Sequence, residues 1–142
     1  MIRISKHTTT LRWLLLAGAV YFLSVSIAHM LEIKVPLLFI YYTVPSYAYQ
    51  DMIISFLSFG WSIFLFTASY DPVRNRQLVK AILVAGIAAI CGLHVINTTT
   101  DFQALSPDIR PLVFHLETIG LSVYVGSLIL FSYLSRNESL DR

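Results

Sequence analysis

Three of the four histidines in this chain, His29, His94 and His115, fall in or beside long apolar stretches, where an imidazole is costly unless it is partnered or used. Counted back from the nearest charged or turn-forming residues, each comes within a turn or two of the same membrane face, and each belongs to a different stretch. Glu32 follows His29 by three residues, and Asn97 has the same relation to His94, a spacing that shares one helix face. Asp51 opens the second stretch at that end. Glu117 follows His115 by two positions, about 200° round a helix, so these two cannot both face one point.

Such a set admits three kinds of chemistry. Three neutral imidazoles meeting at one point hold Zn or Cu, with a carboxylate behind each ring to orient it. Two imidazoles from facing helices ligate a haem iron, and a four-helix bundle is a suitable container for one. A histidine and carboxylate chain can also relay protons near neutral pH. The plainer arrangement is that each histidine bonds a nearby carboxylate or carbonyl and ties helix ends together. Spacing does not choose among these, because the chain has no CxxCH, HExxH or ExxH pattern. The expected metal ligands are His29, His94 and His115, and Glu32, Asp51 and Glu117 complete a wider ligand- or cofactor-binding set. The remaining His7 sits in a basic tail, where solvent or headgroups satisfy it.

The elements that must position these groups are legible from gaps in the charge pattern. No Asp, Glu, Lys or Arg lies between Arg12 and Glu32, between Asp51 and Asp71, or between Lys80 and Asp101. At about 1.5 Å rise per residue, roughly 20 such residues cross the ~30 Å hydrocarbon layer. A fourth stretch, Pro111 to Ser135, carries only Glu117, near its start. With 56% apolar and 13% charged residues and a mean hydropathy of +0.70, the chain needs lipid as its solvent. The runs are continuous rather than alternating, which excludes a β-barrel.

The expected fold is therefore all-α, an integral membrane four-helix bundle in one domain, 1–142, with helices at about 10–33, 46–69, 77–97 and 107–134. Helix 4 is expected to start at Ser106 as cap, with Pro107 in the first helical position and Asp108 in the first turn. If the N-terminus is cytoplasmic, Arg3, Lys6, Arg12, Arg74, Arg76, Lys80, Arg136 and Arg142 are all inside, against Lys34 and Arg110 outside. That bias puts both termini in the cytoplasm of a multi-pass inner (plasma) membrane protein. The first stretch has a second reading as a secretory signal cleaved before His29.

Small residues suggest where helices meet: Ser55, Ser58 and Ser62 on the second, Ala81, Ala85, Ala88 and Gly92 on the third, Ser122 and Gly126 on the fourth. Near mid-membrane, Tyr21, Trp61 and Tyr124 form either a packing layer or the wall of a pocket. The connection 34–50, KVPLLFIYYTVPSYAYQ, is aromatic rather than polar, so it is expected in the outer headgroup layer or folded over the bundle mouth as a lid or contact surface.

Several classes are excluded. There is no phosphate-binding glycine loop, no Ser-His-Asp context, and no basic face that would recruit nucleic acid. The single Cys91 has no disulfide partner, and Asn97-Thr98-Thr99 matches a glycosylation sequon. What remains is a small membrane binding or accessory protein with an outward-facing site formed by His29, Glu32, His94 and His115. The alternatives are a redox or metal enzyme using the same histidines, and a subunit of a larger membrane complex or homo-oligomer.

Overall fold

In the computed structural model, which describes residues 6–36, 38, 39 and 41–140 with side chains to residue 136, the chain is all-helical. It forms α1 (Lys6–Met30), α2 (Ala48–Tyr70), α3 (Arg76–Thr99), a single turn α4 (Phe102–Leu105) and α5 (Pro111–Leu140), with no strand among the described residues. Four of these helices are long and apolar enough to cross a membrane. Arg3 and Arg142 lie outside the described residues.

Burial follows the logic of lipid rather than of water. Ser26, Ser55, Ser58, Ser62, Ser69, Asn97 and Thr118 are buried, while Val84 and Leu112 are 68% and 70% exposed. A soluble protein would lose stability from such a surface, whereas acyl chains solvate it without cost. The apolar core is a cluster of Leu11, Leu15, Ala19, Leu65, Ala68, Val79, Ile82 and Leu128.

α1 packs most extensively on α2, α5 joins that pair through α1, and α3 rests mainly on α5. The serines expected at the α2 seam are there: Ser55 donates to the Ser26 carbonyl at 2.9 Å, and the two hydroxyls are 3.3 Å apart. On α3 the expected seam is not the observed one. Ala81, Ala88 and Gly92 are exposed, and a Cβ on Gly92 or on Gly126 of α5 would meet nothing. Gly86 instead takes the close contact, against Val125. Between α1 and α5, Tyr124 donates to the Leu14 carbonyl at 3.0 Å, and its hydroxyl occupies the space that a side chain on Gly18 would need.

The helix ends differ from the expected ones for local reasons. α5 begins at Pro111, not at 107, because a proline at 111 lacks the N–H a helix from 107 would require and keeps Arg110 out of the α region. Ser106 accordingly ends α4 rather than capping α5. α2 stops before Pro72, with Asp71 extended at φ −147°.

α1 ends three residues before the expected 33, in a Schellman motif. The Ile33 N–H reaches the Ala28 carbonyl at 2.9 Å, and the Glu32 N–H reaches the His29 carbonyl at 3.2 Å. Glu32 holds the left-handed position at φ 53°, where glycine is usual. Glu32→Gly is therefore expected to raise stability by up to about 1 kcal/mol, read as a higher Tm in detergent. A lower Tm would show that the carboxylate itself is needed.

Candidate functional site

α1 and α2 bring His29 and Asp51 together. His29 Nδ1 is 2.9 Å from Asp51 Oδ1, and both side chains are buried. A carboxylate can only accept, so Nδ1 carries the proton and Nε2 keeps its lone pair in the neutral ring. Asp51 lies in the first turn of α2, where the helix dipole favours its charge. Its second oxygen accepts from the Ser46 hydroxyl at 3.0 Å, and Ser46 in turn accepts from Lys34 Nζ at 3.1 Å. Phe39 from the connecting loop stacks on the imidazole, with centroids 3.6 Å apart and planes 24° apart.

Two sequence features build this local arrangement. Ser46 sits just ahead of Tyr47, the N-cap of α2, so its hydroxyl reaches Asp51 in the first turn. Gln50 Oε1 then accepts from the Tyr47 N–H at 3.0 Å, which fixes the start of α2 and therefore the position of Asp51.

A cleft of about 570 Å³ opens beside the pair. At one end its wall carries His29, Lys34, Ser46, Gln50 and Asp51 beside Leu38, Phe39 and Val44 of the loop, and further in it becomes mainly apolar, with Phe22, Val25 and Ile54 around Ser58. Phe22 precedes His29 by seven residues, so the apolar end lies about 10 Å deeper.

A second hub fastens the loop that closes the cleft. Tyr41 donates to Asn97 Oδ1 at 2.9 Å, and Asn97 Nδ2 donates to Thr118 Oγ1 at 2.9 Å and to the Phe114 carbonyl at 3.3 Å. The Tyr41 ring stacks on Phe102 and meets Phe114 edge-on. Burial first, and the Glu117 charge second, push the Tyr41 phenol above its ordinary range, which keeps it a donor.

The remaining expected site residues are distributed differently. Glu32 does not share a face with His29, because α1 has already ended and Glu32 is exposed; Asp51 is the carboxylate beside the ring. His94 is exposed on α3, and His115 is half-buried on α5. No group of three or more His, Cys, Asp or Glu positioned to hold a metal occurs among the described residues, which leaves the expected three-histidine centre without support. Glu117 lies within electrostatic range of Tyr21 and Tyr41. Tyr21 and Trp61 flank Phe22, edge-on at 5.5 Å and stacked at 6.1 Å, so Phe22 lines the cleft and they buttress it. Tyr124 belongs to the α1–α5 contact.

Lys34, Phe39 and Ser46 were invisible as site residues in the sequence, since only the apposition of α1 and α2 gives them a common target. The one usable signal was the loop's own composition, too aromatic for a solvated connection. No family model, curated protein or solved structure matches the chain.

Proposed function

We propose that this chain is a small multi-pass membrane binding protein that holds an amphipathic molecule in the cleft between α1, α2 and their connecting loop. The observation that carries the reading is the change of the cleft wall with depth, from a cation, a hydroxyl and a His–Asp pair to a wall mainly of phenylalanine, valine and isoleucine with the single Ser58 among them. An anionic headgroup is met by Lys34 and the Gln50 amide, and a hydroxyl on the headgroup can donate to the His29 Nε2 lone pair. One hydrocarbon chain follows Phe22 and Ile54. The excess of basic residues at the opposite end supports cytoplasmic termini and a cleft that opens to the outer leaflet. The metal, haem and redox reading has no comparable support.

Trp61 stacks on the cleft residue Phe22 and can report occupancy. In a Trp13→Phe background, titration with a brominated single-chain fatty acid is expected to quench Trp61 saturably, with the affinity falling about tenfold in Lys34→Gln through loss of a charge-assisted contact. Quenching that never saturates, or that ignores the substitution, would remove the proposal.

A further inference from the structure

At the other end of the bundle, a smaller cleft of about 130 Å³ is lined by Arg76 and Lys80 of α3 and by Ser132, Ser135 and Arg136 of α5. We propose that it binds a phosphate group, specifically the phosphate of an anionic lipid headgroup. Arg76 and Lys80 are one helical turn apart and repel each other unless an anion lies between them. They also stand at the positive end of the α3 dipole, whose first turn carries no acidic residue. Asn75 is turned away, its amide bonded to the Thr67 carbonyl, and Asp71 Oδ1 is taken by the Arg74 N–H. No carboxylate is among the described residues lining the cleft.

The hydroxyls of Ser132 and Ser135 add donors on the facing wall, with Ser135 held 2.8 Å from Thr8 of α1. Continuing from Arg76 and Lys80 along the same face of α3 comes Ile87, with Val84 beside it, both exposed. An acyl chain has a track directly below the headgroup, which a free phosphate would not use. The site therefore has the form of a basic pocket between membrane helices.

The full-length protein in neutral detergent, titrated with phosphatidylglycerol or phosphatidylcholine and weighed intact by native mass spectrometry, tests this. Each basic side chain beside an anionic headgroup is worth roughly fivefold in affinity. The wild type is expected to prefer phosphatidylglycerol, and Arg76→Gln with Lys80→Gln to lose about twenty- to thirtyfold of that preference. Arg74→Gln, outside the cleft, is expected to change nothing. If inorganic phosphate alone raises the Tm of the wild type but not of the double variant, the phosphate site stands and its source is soluble. Equal loss in Arg74→Gln, or a double variant that folds and keeps the preference with no response to phosphate, overturns it.

Discussion

Replacing Asp51 by Ala is expected to cost about 2–4 kcal/mol of stability and to weaken ligand binding in the α1–α2 cleft by at least about tenfold. Asp51 is the acceptor for two donors, His29 Nδ1 at 2.9 Å and Ser46 Oγ at 3.0 Å. Its loss leaves a buried imidazole N–H without a partner, and a buried donor left unmade costs more than the bond it once formed. Ser46 then loses its anchor, so Lys34 is no longer held at the cleft mouth. Asp51→Asn separates the two consequences. The amide oxygen can still receive the imidazole proton, and the charge that organises Ser46 and Lys34 is gone. Stability near wild type with weakened binding is the expected result for Asn. Thermal unfolding in detergent together with Trp61 quenching reads both quantities, and an Ala variant with unchanged Tm and unchanged affinity would show that the pair is incidental.

Gly18→Val is the second substitution expected to have a large effect, about 3 kcal/mol or more, from overpacking and a broken hydrogen bond together. Even a Cβ at this position would fall on the Tyr124 hydroxyl, and the ring carbon behind it is only 3.0 Å away. Tyr124 cannot swing aside freely, since its hydroxyl is committed to the Leu14 carbonyl and its ring packs against the apolar core. Gly18→Ala with Tyr124→Phe is expected to recover part of the loss of Gly18→Ala alone, because the hydroxyl is what the new methyl meets first. Additive losses in that double-mutant cycle would mean the two residues do not touch.

Much of the fold was readable because lipid imposes so few solutions. The charge-free run from Lys80 to Asp101 has no alternative to a spanning helix, and α3 occupies nearly that range. Helix ends were less readable, since they depend on single residues acting against a general rule. Pro111 blocks a start that Ser106, Pro107 and Asp108 invite. Glu32 accepts a left-handed conformation that a sequence reader reserves for glycine.

The site was legible in its ingredients and not in its pairings. His29 and Asp51 both stood out as ionisable groups at membrane depth, yet sequence spacing matched His29 with Glu32, a neighbour by count that the helix end removes from its face. Asn97 has a three-residue spacing from His94 that suggests a shared helix face. Its bonds go instead to Tyr41, Phe114 and Thr118, partners separated from it by 17 to 56 positions. Such long-range partnerships arise from which helices lie side by side, and no local periodicity encodes that.

The order in which helices leave the ribosome gives the sparse packing of α3 a consequence. α1 meets its principal neighbour as soon as α2 follows it, whereas α3 rests mainly on α5, which enters the bilayer after it. For that interval α3 must stand among lipids with only a slight hold on α2. Its uninterrupted apolar length, with buried Asn97 placed close to one end, lets it wait there without a partner.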